Sequence, residues 1–444
     1  MQGLPLGNVG FSAVTYAVTC GTVTPGAAQT WTSDTVTVTL VVGQIVPVKL
    51  TLRRPGRATV SIDFSDEPTV PDGGSDAPAS SDAGPPPTCQ IGPFADGDVW
   101  NKTYVFDDYQ YVPFAVGPSG RLHAGIYRGY AFSDDDGQTW TVRNLQGLIS
   151  QGQAWPQPAV SADGQSIWLT IRGQGTLVSR DGGATFTAVP ALSALAAMTS
   201  GWVQASPYHD RHLLAYGWSE DAFGSLAGTL YRTTDGGMTW TNLDGALATA
   251  GGNDAHSATF DPATMDRFWI ADMPQGVFET QNGGATFTAV PGSSHSFIST
   301  VTRTSDGTNP RLVVTGACSA PTSTVIGQNI WQSSVGDSPH CCPEPRVVAD
   351  PFDLATAVLF QCHDFDPANL RYSTNGGVTL SLATWPTSLD DSNMNPPLIV
   401  RSLIADPHHR RTFYGAHSNQ WTILKSVDGG KTWVAVGGLP GRGC

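Results

Sequence analysis

The first 65 residues alternate apolar and polar side chains in three places. These are Thr35-Val36-Thr37-Val38-Thr39-Leu40, Val46-Pro47-Val48-Lys49-Leu50-Thr51-Leu52 and Ala58-Thr59-Val60-Ser61-Ile62-Asp63-Phe64. A period of two puts one face of a segment on a core and the other in water, so all three predict strands. Residues 1–65 therefore predict a small β module, part of an immunoglobulin-like sandwich. Residues 66–88 break the pattern: apart from Val70 they carry no large apolar side chain. Such a segment cannot offset the entropy of packing. Its Pro, Ser, Asp and Gly residues predict a partly extended, flexible linker. Beyond it, over 89–444, short apolar runs recur between Gly- and Pro-containing turns. One set reads Ala255–Phe260, Arg267–Ala271, Gly276–Thr280 and Thr286–Val290, which predicts four-stranded units.

A phrase marks each unit. Ser133-Asp134-Asp135-Asp136-Gly137-Gln138-Thr139-Trp140 returns as Ser179-Arg180-Asp181-Gly182-Gly183-Ala184-Thr185-Phe186 and as Thr233-Thr234-Asp235-Gly236-Gly237-Met238-Thr239-Trp240. It returns again from Thr280, Ser373 and Ser426, and a decayed copy, Ser333–His340, fills the double gap between Thr280 and Ser373. Seven copies starting at 133, 179, 233, 280, 333, 373 and 426 give a spacing of about 49 residues, near that of four-stranded propeller blades. The leading Ser/Thr and the Asp/Asn can accept backbone N–H bonds in a tight turn. The Gly can take positive φ, and the final Trp or Phe can pack between sheets. A second marker, Gly117-Pro118, Ser206-Pro207, Asp261-Pro262, Asp350-Pro351 and Asp406-Pro407, fits the turn after each innermost strand.

These phrases resemble the Asp-box, or bacterial neuraminidase repeat. The resemblance covers residues 89–444 and implies an all-β, seven-bladed β-propeller, preceded by the small β-sandwich-like module. It implies that the boxes are structural turns between third and fourth strands, on the face opposite the ligand. The loops leaving each outer strand, and those between second and third strands, then share the ligand face. Catalytic sialidases also carry the box, but they are six-bladed, with an Arg triad and an early Arg-Ile-Pro motif. No Arg-Ile-Pro occurs here, and Arg128, Arg172, Arg346 and Arg401 form no identifiable triad. Xyloglucanase-type glycosidases place a cleft between two propellers, and only one is present. The pattern is also similar to sortilin-type receptors and photosystem assembly-factor propellers, which bind without catalysis.

Composition narrows the partners. The net charge is −14 with only 14% charged residues and no basic stripe, which disfavours nucleic acid and anionic membrane. No apolar run is long enough to span a bilayer. The segment Met1-Gln2-Gly3-Leu4-Pro5 has neither the basic nor the apolar region of a signal peptide. The module and linker resemble those of bacterial surface lipoproteins. Seven cysteines occur without a C-x-x-C pair; as disulfides they imply an extracellular or cell-surface setting. Cys89 and Cys444 flank the propeller and would staple it, leaving Cys20 over. Cys318, Cys341, Cys342 and Cys362 would form two further bridges in either pairing. With His340 and His363 they have a second reading as a metal site; the disulfide reading is favoured, and no cofactor is expected.

The longest predicted loops on the ligand face are 217–228, 243–256, 315–327, 361–368 and 383–398. They and shorter neighbours supply Trp155, Arg172, Trp218, His256, Asp272, His295, His363, Trp385 and His417 as candidate ligand-binding residues. Tryptophans at such sites stack on sugars. Asp254 and Asp364, each beside a His-containing segment, are the candidate catalytic pair, since glycoside hydrolysis uses two carboxylates. The plainer reading is that loop Asp residues cap turns and loop Trp residues cover core. The expectation is a secreted or surface propeller binding a glycan or protein ligand, with a glycoside hydrolase as the alternative. Fold alone does not decide between them.

Overall fold

The computed structural model describes residues 114–438 except 118–119, 127–128, 146, 150–155, 162, 199, 221–225, 274, 295–297, 317–320, 329, 335–345, 361–369, 387–399 and 418–421. Before Phe114 it describes only strand backbones, and it describes no side chain at 200, 218–220, 226–227, 299, 346, 360, 400–401 or 417. The chain divides into two compact units, Met1–Asp82 and Ala83–Cys444. In the first, Gly7–Phe11 pairs antiparallel with Val36–Leu40. A second sheet runs in the order Val14–Tyr16, Gln29–Ser33, Lys49–Arg53, Thr59–Asp63. All three alternating segments thus contain strands.

The second unit is a seven-bladed β-propeller, an all-β fold of seven antiparallel sheets. Its inner strands are Phe114–Val116, Gln157–Val160, Ser200–Ala205, Ala255–Phe260, Ile298–Ser305, Arg346–Asp350 and Val400–Ala405. Each blade continues outward in chain order. The fourth reads Ala255–Phe260, Phe268–Asp272, Gly276–Thr280, Thr288–Ala289, so its outer strand is shorter than the apolar pattern predicts. The first blade carries an extra edge, Gln90–Ile91, parallel to its outer strand Thr139–Asn144. The two helices described are short, Pro190–Ala197 and Asp244–Thr249. The latter occupies the predicted loop 243–256.

The core lies between blades. Among the described residues seven buried clusters each join two neighbours, as Trp168 of blade two meets Leu213 of blade three and Trp269 of blade four meets Leu312 of blade five. A sheet buried on both faces reads as continuous apolar runs; Ile167–Ile171 and Phe268–Asp272 are buried throughout.

The repeated turns show why their residues recur. In six copies the leading hydroxyl accepts the N–H four residues on: Gly137, Gly183, Gly237, Gly284, Gly377 and Gly430 donate at 2.8–3.0 Å. The Asp or Asn accepts the N–H of the following Thr, as in Thr239 N to Asp235 Oδ1 at 2.9 Å. These glycines sit at φ between +79° and +92°, where an L side chain is strained. Each also faces the preceding blade: a Cβ on Gly237 would meet Trp168, and one on Gly430 would meet Val358.

The fifth copy lies elsewhere than Ser333–His340. Ser333 belongs to the outer strand Gln332–Ser333, and residues 335–345 fall outside the described residues. Thr322 pairs with Ser333 in the same register that pairs Leu177 with Ala188 and Tyr231 with Asn242. The equivalent turn is therefore Thr324–Trp331. It keeps the hydroxyl and the Trp but has Ile326 in place of Asp. Trp331 packs beside Trp269 and Leu312, and its Nε1 donates to Pro291 O at 3.0 Å. The copy lost its carboxylate and kept its packing.

The ring closes by the same contact that joins the other blades, without exchanging a strand. Trp140 of the first box packs with Tyr414, Ala416 and Ile423 of blade seven, and its Nε1 donates to Gly438 O at 2.7 Å. Lys425 donates to Asp136 at 2.9 Å, as does the Tyr414 hydroxyl. All seven cysteines lie outside the described residues.

Candidate functional site

The antiparallel order places box turns and the turns after inner strands on one face. The ends of second strands and the starts of inner strands lie on the other. The Pro marker falls where expected, after Ala205, Phe260 and Ala405. All seven inner strands line a central channel of about 680 Å³.

Three sequence candidates meet at the face opposite the boxes. Ala255 pairs with Asp272, and a bulge follows at His256. A bulge re-aims a side chain, and here His256 lines the channel. His256 Nε2 lies 2.7 Å from Asp254 Oδ2. Asp272 Oδ2 accepts the backbone N–H groups of Asn253 at 2.7 Å and Asp254 at 2.8 Å. Both carboxylates are fully buried, and the Oδ1 of each has no hydrogen-bond partner among the described residues. Burial pushes the Asp272 carboxyl up to about 6, opposed by the two N–H donors and reinforced by the neighbouring Asp254 charge. Asp272 is a strut for the loop entering blade four, and Asp254 orients His256.

This arrangement has a pH signature. Asp272 is raised from 3.8 to about 6, so its contribution to stability is full below 3.8 and lost as pH rises through about 6. The box carboxylates have the opposite sign: against the effect of burial, hydrogen bonds led by the Thr239 hydroxyl hold Asp235 at about 2. Their contribution is present above 3.8 and lost as pH falls through the folded value. We expect Asp272→Asn to gain on the wild type by on the order of 1–3 kcal/mol as pH rises across that first window. Denaturant titrations of both proteins across it check this; parallel curves would remove the assignment.

The same mouth holds aromatic residues that the loop-based reading missed. Trp202 on the inner strand of blade three and Tyr216 opposite it both line the channel. Their rings are 6.1 Å apart at 34°. The Tyr216 hydroxyl donates to Gln204 Oε1 at 3.0 Å, and Gln204 Nε2 donates to Ala258 O at 3.1 Å. Their signal was present as aromatics on the first and second strands of one blade, but only ring closure makes that edge a surface.

The other candidates are scattered. Arg172 is exposed in the turn between Ile167–Ile171 and Gly175–Ser179. Trp385 is half-buried against Trp433 and Leu370 at the junction of blades six and seven. Trp218 and His417 lie in strands whose backbones pair with Ser200 and Val400. Trp155, His295, His363 and Asp364 lie outside the described residues, so the Asp254–Asp364 pair has no described geometry. Among the described residues no cluster of His, Cys, Asp or Glu could hold a metal ion, and no helix is long and apolar enough to cross a membrane.

No protein-family model matches the chain, and no curated protein is significantly similar to it. Among solved structures, an ancestral GH74 enzyme superposes with TM-score 0.52 at 16% identity, over 74% of this chain and 46% of that one. The chain thus spans less than half the length of that enzyme. YCF48 bound to D1 peptide gives TM-score 0.45 at 15% identity, over 69% and 91%. YCF48 from Cyanidioschyzon merolae gives 0.42 at 17%, over 63% and 83%. At these identities the likeness is one of fold.

Proposed function

We propose that this is an extracellular or cell-surface propeller of the Asp-box type that binds a glycan at the channel mouth opposite the boxes. The observation that carries the reading is the convergence of the Trp202–Tyr216 pair and the Asp254-oriented His256 on one wall of one cavity. An aromatic surface beside fixed polar groups suits a sugar, which has an apolar ring face and a polar rim. Cleavage needs two carboxylates facing a groove with the substrate between them. The carboxylates described at this mouth, Asp254 and Asp272, are fully buried, one against His256 and the other against two amides, and hold the mouth in place. The hydrolase alternative rests on pairing Asp254 with Asp364, which lies outside the described residues.

A glycan array scored for both binding and cleavage tests this. Trp202→Ala should weaken any hit at least about tenfold, as loss of a central aromatic anchor does. Cleaved products, or unchanged affinity in the variant, would overturn the reading.

A further inference from the structure

Deeper in the channel, toward the box face, lies a second polar group. Inner strands of blades four and five are zipped by Val301 N to Ser257 Oγ at 2.8 Å and Arg303 N to Thr259 Oγ1 at 2.9 Å. Arg303 is thus level with Thr259, three residues beyond His256, or about 10 Å at roughly 3.3 Å per residue. Arg303 and Tyr208 both line the cavity.

The surroundings of Arg303 offer donors without an available acceptor. Its Nη1 donates to Thr304 O. Among the described residues its Nε has no acceptor and no carboxylate lies within ion-pair distance. The nearby acids are committed. Asp261 accepts the Ala263 N–H at 2.7 Å and lies 3.6 Å from Arg267. Asp350 accepts the N–H groups of Phe352 at 2.9 Å and Arg411 at 2.7 Å. The Tyr208 hydroxyl makes no hydrogen bond among the described residues. Burial pushes that phenol above its ordinary value, against the pull of Arg303, so it remains a donor. A half-buried guanidinium and a phenol O–H that line one mostly apolar channel are donors suited to an anion.

We propose that Arg303 and Tyr208 form an anion-binding end of the channel that takes the carboxylate of an acidic ligand, a uronic acid unit where that ligand is a glycan. The sugar half of this inference rests on the glycan reading above; the carboxylate half does not. The rise of about 10 Å along the strands from His256, at the mouth that also holds Trp202, to the level of Arg303 exceeds one sugar ring. The glycan is therefore at least a disaccharide, with one ring on Trp202 and the acid inward.

Titration calorimetry with two matched pairs tests it: digalacturonate against galactobiose, and benzoate against benzyl alcohol. Each acid should bind at least about tenfold tighter than its neutral partner. Arg303→Met should abolish that preference. Tyr208→Phe, which keeps the ring and its packing, should reduce it. Equal binding of both disaccharides leaves the glycan reading standing and overturns the anion site. Arg303-dependent binding of benzoate with neither sugar bound does the reverse. Acid preference that survives Arg303→Met, or no acid binding to the folded wild type, overturns the proposal.

Discussion

Trp140→Ala is expected to destabilise the propeller by about 3–5 kcal/mol, the usual range for deleting a buried Trp. Trp140 is 5% exposed and packs among Phe114 and Leu122 of its own blade and Tyr414 and Ile423 of blade seven. Its indole N–H donates to Gly438 O, 298 residues away. The substitution therefore opens a cavity and leaves a seam carbonyl without its donor. Trp240 is the internal control. It fills the same box position in blade three but is half-buried, and its Nε1 has no acceptor among the described residues. Trp240→Ala should cost clearly less. Chemical denaturation of both variants reads the difference, and equal losses would show that the closing seam is no stronger than its neighbours.

Gly437→Ala probes the same seam from the other side, with an expected cost of about 3 kcal/mol, the upper end for overpacking. A Cβ there would lie 2.4 Å from Asp136 O, 2.5 Å from Gly137 C and 2.6 Å from Gly137 O. All three atoms are backbone, so no side chain can swing aside. The strand Val434–Gly438 and the first box turn would have to separate, breaking the Gly438 N to Gly137 O bond of 3.1 Å. Gly147→Ala, where a Cβ meets nothing within 4 Å, should stay within about 0.5 kcal/mol of wild type. A Gly437→Ala protein as stable as that control would mean the seam is looser than its geometry.

The blades were legible because the turn chemistry is demanding. A hydroxyl, a carboxylate or amide and a glycine must stand at fixed offsets to satisfy the same N–H groups, and six copies do so visibly. The fifth was misplaced because Ile326 removed the carboxylate on which the pattern depends. Only the pairing of Thr322 with Ser333 restores its register. Asp254, His256 and Asp272 were each picked from the sequence. Their mutual contact depends on how the second strand of blade four lies beside the first. Trp202, Tyr208, Tyr216 and Arg303 were missed for a related reason. On a strand they read as ordinary positions, and the channel they line arises only when seven blades stand in a circle.

The seam between Trp140 and blade seven also bears on the order of folding. Six of the seven blade interfaces join segments adjacent in sequence, and such contacts form at low entropic cost. The seventh must bring together groups nearly 300 residues apart. Blades assembled one upon the next would form an open arc first, with the apolar flanks of blades one and seven still bare. Closing that arc would be the last event on the way to the native ring, and the first to reverse when the ring is pulled apart.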